Sequence, residues 1–239
     1  MPIPCAELWG DSIGRGIAYD EARGRYAVLR PNYTDILADK GLVTINNHAR
    51  FGASVTQGLE DFLQTETLEG TSVLIQYGGN DCNFSWNMIA KAPEDAHSPA
   101  TPLDLFEKTL RQFVKAVRSR GKQPILVTPP PLDAGLFFAW VTKGLDAAAV
   151  LRFIGDIEYI YRWQERYAIA VHRVANATRT KVFDARDAFL GGETLKSLLC
   201  VDGMHPNEKG HELIARAAEA ALPGLLSTAA RKQAAANPR

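Results

Sequence analysis

The chain has 239 residues, 46% of them hydrophobic and 23% charged, values that are ordinary for a globular protein. Lys and Arg total 27, as do Asp and Glu, so the formal net charge is zero and a general nucleic-acid-binding function is disfavoured. No apolar run is long enough for a membrane span, and residues 1–7 lack the basic and apolar regions of a signal peptide. We therefore expect a cytoplasmic protein with a sizeable core and no nucleic-acid partner.

Strand and helix patterns alternate along the chain. Short apolar runs predict five strands, at residues 3–9, 42–47, 72–77, 124–128 and 181–184. Helical spacing or composition predicts helices near residues 32–40, 55–63, 103–117, 160–174 and 207–222, the last capped by Asn207. This alternation is typical of a parallel sheet covered by helices on both faces. We expect one domain over residues 1–226, followed by a flexible or weakly helical tail over 227–239.

Residues that could take part in catalysis follow four of the predicted strands. Ser12 follows the first strand, Gly52 the second and Asn80 the third, and a loop after the fifth contains Asp202 and His205. Sites in open parallel sheets form at the carboxyl ends of the strands, so we expect these residues to meet. Each also has an ordinary structural explanation, because serine caps helices and asparagine and glycine form turns.

The spacing of Asp202 and His205 favours a chemical role for both. They lie three residues apart, beside Gly203 and Pro206. A short loop of this kind can aim both side chains the same way, so that the carboxylate holds one imidazole nitrogen while the other faces a nucleophile. The alternative is that Asp202 only caps the helix that follows and that His205 has no chemical role.

Four segments in chain order resemble the sequence blocks of the GDSL, or SGNH, hydrolase family. They are Gly10-Asp11-Ser12, the glycine of Arg50-Phe51-Gly52-Ala53-Ser54, Gly78-Gly79-Asn80-Asp81, and Asp202-Gly203-Met204-His205-Pro206. In the second block the family often places an asparagine closer to the glycine than Asn46 and Asn47 lie here. The resemblance implies a flavodoxin-like α/β/α sandwich of three layers, with a five-stranded parallel sheet in the order 2-1-3-4-5.

The resemblance also implies a mechanism. Ser12 would be the nucleophile, His205 its general base, and Asp202 the group that orients His205. The backbone N–H groups of Ser12 and Gly52 and the side-chain amide of Asn80 would form the oxyanion hole. No metal or organic cofactor is required. Two neighbouring carboxylates, Asp11 and Asp81, are expected to fix their loops by hydrogen bonds.

Two insertions, at residues 82–101 and 132–155, begin just past strand ends and are expected to overhang the site. Their aromatic side chains are predicted to form an apolar wall for the substrate: Trp86, Phe137, Phe138 and Trp140. Because the insertions are short and no separate lid domain is present, we expect a small-molecule ester with a short acyl group, acetate being the first choice. The alternative is that these rings only pack the insertions onto the domain.

Other functions are compatible with parts of this pattern. A thioesterase or acyltransferase would use the same residues, and the fold could also serve as a non-catalytic carbohydrate- or lipid-binding module. A metal-dependent phosphoesterase could use Asp11, Asn80, Asp81, Asp202 and His205, but the early Asp-x-His and clustered histidines of a two-metal site are missing from the sequence. The sequence leaves the oligomeric state open.

A dinucleotide-binding loop is a further alternative. Gly10, Gly14 and Gly16 follow the first strand, but their spacing is G-x-x-x-G-x-G and not G-x-G-x-x-G. The three cysteines, Cys5, Cys82 and Cys200, match no zinc pattern and are expected to be reduced thiols.

Overall fold

Five parallel strands form the centre of the molecule, at the positions that the sequence predicts. The structure is a computed structural model and describes residues 3–192 and 194–226. The strands are β1 (Cys5–Gly10), β4 (Thr44–Asn47), β5 (Ser72–Gln76), β6 (Gln123–Val127) and β7 (Lys181–Phe183). They lie in the order β4-β1-β5-β6-β7. Numbered among themselves, they have the order 2-1-3-4-5, so this prediction is confirmed.

Helices cover both faces of the sheet. The described helices are α1 (Ser12–Arg15), α2 (Tyr33–Asp39), α3 (Val55–Gln64), α4 (Trp86–Lys91), α5 (Leu103–Ser119), α6 (Ala134–Val141), α7 (Ala147–Ile154), α8 (Glu158–Thr178), α9 (Ala185–Leu190), α10 (Leu195–Leu198) and α11 (Glu208–Leu226). On one face α5 packs against α3 and α8, and on the other α11 packs against α2 and α9. The predicted three-layer α/β/α sandwich is confirmed.

The alternation of side chains along β1 builds two separate cores. Leu8 and Trp9 are neighbours in sequence and both are buried, yet they belong to different apolar clusters. Successive side chains of a strand point to opposite faces, so one packs under α2 and α11 and the other under α3 and α5. A strand that is covered on both faces therefore reads as a continuous apolar run.

The two insertions form a third apolar cluster on top of the domain. They contain α4, α6 and α7, and their side chains pack on one another and on the start of α8. The buried members of the cluster are Phe84, Trp86, Ile89, Leu132, Ala134, Phe137, Val150, Ile154 and Ile160. This cluster places the insertions at the carboxyl ends of the strands, as the sequence predicts.

A two-stranded hairpin, β2 (Ile17–Asp20) and β3 (Arg25–Val28), was not predicted. Its strands are antiparallel, with Tyr19 opposite Tyr26. Each strand has only four residues and carries charged side chains, so the local apolar signal is weak. Ring contacts with Trp140 and Phe51 hold the hairpin against the domain, and such contacts cannot be read from local sequence.

The sequence predicts four further features, which concern membrane spans, the cysteines, the C-terminal tail and the start of the last helix. None of the helices in residues 3–192 and 194–226 is both long and apolar enough to cross a membrane. The cysteines Cys5, Cys82 and Cys200 are free thiols. The tail predicted at 227–239 lies outside the described residues. Asn207 accepts a hydrogen bond from the Gly210 N–H at 3.1 Å and so caps the start of α11, as expected.

Candidate active site

Ser12 lies at the carboxyl end of β1, where the chain turns into α1. The Asp11 carboxylate accepts a hydrogen bond from the Ile13 N–H at 2.9 Å and caps this helix. Burial raises the pKa of Asp11 to about 6, because the hydrogen bond offsets only part of the cost of desolvating the charge. Asp11 therefore holds the turn in which Ser12 is presented, the role expected for it.

The loop that contains Asp202 and His205 is folded tightly on itself. The Asp202 Oδ1 atom accepts hydrogen bonds from the backbone N–H groups of Met204 at 3.0 Å and His205 at 3.1 Å. Gly203 has a φ of +70°, and a Cβ atom there would lie 2.6 Å from the backbone nitrogen of Phe137 in α6. Only glycine fits this position, so the loop is locked against the second insertion.

Ser12, His205 and Asp202 converge although 193 residues separate the first from the second. The Ser12 Oγ atom lies 2.8 Å from His205 Nε2, and His205 Nδ1 lies 2.6 Å from Asp202 Oδ2. All three side chains are buried. Burial alone would raise the pKa of Asp202, but the hydrogen bonds and the charge of His205 outweigh it and lower that pKa. Asp202 is thus an ionised carboxylate that can orient an imidazole toward a hydroxyl.

Ser12, Gly52 and Asn80, the three residues expected to supply N–H donors, all line one cavity. Ser12 begins α1, so its own N–H has no acceptor within the helix. Gly52 has a φ of +76°, a conformation that glycine adopts readily. The Asn80 amide donates to the Ala53 carbonyl at 3.1 Å, which anchors its nitrogen beside the Gly52 turn and leaves a second N–H for a ligand.

Asp81 connects the loop that contains Gly52 with the loop that contains Asn80. Its Oδ1 accepts the Val55 N–H at 3.0 Å at the start of α3, and its Oδ2 accepts the Gly78 N–H at 3.0 Å after β5. Burial raises the pKa of Asp81 to about 6 in spite of these bonds. The carboxylate therefore fixes the Gly52 turn and the Asn80 turn relative to each other, as expected.

A largely apolar cavity of about 240 Å³ opens beside the Ser12 hydroxyl. Trp86 and Phe137 line it, as predicted. Its other apolar side chains come mainly from the 82–101 segment, the 132–155 insertion, the start of α8 and the loop after β4: Phe51, Phe84, Leu132, Tyr159, Ile160, Trp163 and Met204. The cavity therefore combines a polar floor at the strand ends with aromatic walls.

Phe138 and Trp140 do not line this cavity, in contrast to the expectation. Successive residues of a helix point about 100° apart, so α6 cannot turn all three of its rings the same way. Phe137 faces the cavity, Phe138 packs at the edge of the insertion cluster, and Trp140 lies against Tyr19 of the hairpin.

Several residues that line the cavity were missed as site residues, and Trp163 and Tyr26 are the most informative of them. Trp163 is in α8, where its helical spacing indicates only an apolar face. Tyr26 is in β3, and its hydroxyl lies 3.0 Å from Asp202 Oδ2 across 176 residues of sequence. The hairpin was not predicted, and nothing in the sequence around Tyr26 points to Asp202.

The alternative sites receive no support from the geometry. No group of three or more His, Cys, Asp or Glu side chains suited to a metal ion lies within residues 3–192 and 194–226. The glycines considered for dinucleotide binding flank or interrupt a single helical turn. Gly14 lies inside α1 and Gly16 ends it, so no longer helix begins there to receive a pyrophosphate.

Comparison with known proteins agrees with this fold. Among curated proteins no sequence matches the chain. A lipase/acylhydrolase from Enterococcus faecalis is 21% identical, with a TM-score of 0.64 over 93% of this chain and 96% of that one. A catalytic mutant of an acetylxylan esterase from Geobacillus stearothermophilus is 20% identical, with a TM-score of 0.60 over 91% and 94%. An α/β hydrolase from the metagenome of Lake Arreo is 22% identical, with a TM-score of 0.62 over 93% and 96%.

The match to a family model covers most of the domain and all four sequence blocks. The model of the GDSL-like Lipase/Acylhydrolase family matches residues 8–213, which begin before Ser12 and end after His205. The chain therefore belongs to the GDSL-like Lipase/Acylhydrolase family and is a carboxylic ester hydrolase.

Proposed function

We propose that this chain hydrolyses carboxylic esters of short acyl groups through a covalent acyl-enzyme on Ser12. The observation that carries the proposal is the chain of two short contacts, 2.8 Å from Ser12 Oγ to His205 Nε2 and 2.6 Å from His205 Nδ1 to Asp202 Oδ2. A serine hydroxyl is a weak nucleophile at neutral pH, and an adjacent oriented base is what activates it.

The reaction divides into two steps. In the first, His205 accepts the Ser12 hydroxyl proton as Oγ attacks the ester carbonyl, and then gives that proton to the leaving alcohol. In the second, His205 takes a proton from water as the water attacks the acyl-enzyme, and returns it to Ser12 Oγ when the acid leaves. Asp202 balances the positive charge that His205 carries in both steps.

Each attack places a negative charge on the carbonyl oxygen. The Ser12 N–H, the Gly52 N–H and the free N–H of the Asn80 amide are the donors proposed to receive it. Loss of one such donor typically costs about 3 kcal/mol of transition-state stabilisation. The hydrogen bonds of Asp81 and Ala53 supply the preorganisation that this effect requires, because they hold the Gly52 and Asn80 turns together.

The size and lining of the cavity support a short acyl group. Its volume, about 240 Å³, is smaller than the clefts of roughly 300–1,000 Å³ that hold drug-sized ligands. Trp86, Phe137 and Trp163 line it with apolar rings, which favours an alkyl group over a charged one. A long lipid tail would extend well beyond these walls.

The proposal is tested with a covalent probe and a set of p-nitrophenyl esters that runs from acetate to palmitate. We expect a fluorophosphonate to label Ser12 and the esters to be hydrolysed, with acetate and butanoate preferred. Ser12→Ala is the matched control, and we expect it to lose both labelling and turnover while its thermal unfolding stays close to the wild type. Full turnover in Ser12→Ala would reject the mechanism, and a preference for palmitate would reject the acyl-group assignment.

A further inference from the structure

Two hydrogen bonds join the β2–β3 hairpin to the loop that carries Asp202 and His205. The Tyr19 N–H donates to Cys200 Sγ at 3.4 Å, and the Tyr26 hydroxyl donates to Asp202 Oδ2 at 3.0 Å. The hairpin begins directly after α1, the helix that presents Ser12. The segment that follows Ser12 therefore contacts Asp202, the last member of the hydrogen-bonded series Ser12–His205–Asp202.

Asp202 receives four hydrogen bonds, and Tyr26 is the donor that comes from outside its loop. Oδ1 accepts the backbone N–H groups of Met204 and His205, and Oδ2 accepts both His205 Nδ1 and the Tyr26 hydroxyl. Because the Asp202 side chain is fully buried, removal of a donor leaves a buried carboxylate with fewer hydrogen bonds. The orientation of the Oδ2 atom, which meets the imidazole, thus depends on a hydroxyl 176 residues away.

The Tyr26 ring is itself held in place by other rings. Its centroid lies 5.2 Å from that of Tyr19, 5.3 Å from Phe51 and 5.0 Å from His205. Burial and the neighbouring Asp202 carboxylate raise the pKa of the Tyr26 hydroxyl, so it remains protonated at neutral pH and acts as a donor. A rigid ring and a protonated hydroxyl are what a fixed hydrogen bond to a carboxylate requires.

We propose that Tyr26 is a positioning residue for ester hydrolysis, whose hydroxyl holds the Asp202 carboxylate in the orientation that aims His205 at Ser12. The inference rests on the proposed function, since it assigns to Tyr26 an effect on that reaction through Asp202. It predicts that the hydroxyl matters and that the ring alone is insufficient.

Tyr26→Phe removes the hydroxyl and keeps the ring, and Tyr19→Phe is its matched control. Tyr19 lies opposite Tyr26 in the same hairpin, and its hydroxyl makes no hydrogen bond to Ser12, His205 or Asp202. A hydrogen bond to a charged group is worth enough for a loss of about tenfold or more in kcat. We expect Tyr26→Phe to show this loss with KM little changed, and Tyr19→Phe to resemble the wild type.

A double-mutant cycle separates positioning from a general loss of packing. If Tyr26 acts through the Asp202 carboxylate, Tyr26→Phe has little further effect on kcat in an Asp202→Asn background. The same fold-loss in both backgrounds would overturn the proposal, as would a loss confined to KM, which would make Tyr26 a wall of the substrate site.

A measurement without substrate keeps this test separate from that of the proposed function. The proton between His205 Nδ1 and Asp202 is observable as a low-field proton NMR resonance, assigned by its absence in His205→Ala. We expect Tyr26→Phe to shift this resonance and Tyr19→Phe to leave it in place. An unmoved resonance in Tyr26→Phe would refute the positioning role even in an active enzyme, whereas unlabelled and inactive wild-type protein would reject the proposed function alone.

Discussion

Two histidines that lie six residues apart show how differently one side chain behaves in two buried regions of this molecule. His205 is in the loop before α11, and its two ring nitrogens contact Asp202 and Ser12 at 2.6 Å and 2.8 Å. His211 is inside α11 and is at least as well buried, but neither of its nitrogens has a hydrogen-bond partner among the described residues. Its ring instead stacks on Tyr33, with centroids 5.8 Å apart.

This comparison indicates that contact with a charged partner, and not burial, is what suits a buried histidine to the role of a base. A protonated imidazole in a buried site is costly unless a negative charge accompanies it. Burial, and secondarily the charge of His205, lower the pKa of His211 to about 4, and the charge of Asp35 offsets only part of this. His205 has the Asp202 carboxylate in contact with it, which is the arrangement that the proposed mechanism requires of its base.

The largest effect is expected when the partnered histidine is removed. His205→Ala deletes the proposed base, and we expect kcat to fall on the order of 10⁶-fold, as when a member of a triad is lost. His211→Leu removes an equally buried ring that touches no part of the proposed mechanism, and we expect kcat to change little. Steady-state hydrolysis of p-nitrophenyl acetate by the two purified variants gives the comparison. Similar losses in both would mean that burial and packing, and not the partners, set the role of each histidine.

A smaller loss is expected for Asp202→Asn, on the order of 10⁴-fold in kcat. The asparagine Oδ1 can still accept the Met204 and His205 N–H groups, so the loop keeps its shape. The amide nitrogen, however, would present a donor to His205 Nδ1, favouring the wrong tautomer and leaving the imidazolium without its counter-charge. The same assay measures this loss, with thermal unfolding as the control for folding. A loss as great as that of His205→Ala would show that loop geometry contributes nothing to orientation.

The sequence predicts the central sheet well because the relevant signals are local. The five parallel strands follow from short apolar runs, and their order follows from the family resemblance that the four motif segments carry. The β2–β3 hairpin escapes prediction because its four-residue strands are held by ring contacts with distant segments. The wall formed by α6 is only partly predictable, since the direction in which Phe138 and Trp140 point depends on how the helix packs.

The same distinction applies within the site. Asp202 and His205 lie three residues apart, so their contact can be anticipated from spacing alone. The Tyr26 contact with Asp202 and the stacking of His211 on Tyr33 both join segments separated by more than 170 residues. Nothing in the sequence around His211 indicates that its nitrogens lack partners, because that depends on which side of α11 faces the sheet.

The last and smallest effect concerns stability and not activity. The pKa of His211 is lowered from 6.5 to about 4 in the folded protein, so the unfolded chain binds the proton first as the pH falls. The stability that neutral His211 contributes is therefore fully present above about pH 6.5 and is lost as the pH falls toward 4. We expect the wild type to lose about 2 kcal/mol more than His211→Leu in its free energy of unfolding between about pH 7.5 and pH 5. Guanidinium unfolding curves at a series of pH values measure this difference.

Tyr33→Phe provides the control for this last prediction, because it keeps the ring that stacks on His211 and leaves the histidine in place. It is expected to show the same pH dependence as the wild type, whatever its absolute stability. If His211→Leu instead runs parallel to the wild type across this range, the His211 ring must bind its proton as readily in the folded protein as in the unfolded chain. The two histidines would then differ only in their access to Ser12, and the lack of a charged partner could not explain why one is suited to act as a base and the other is not.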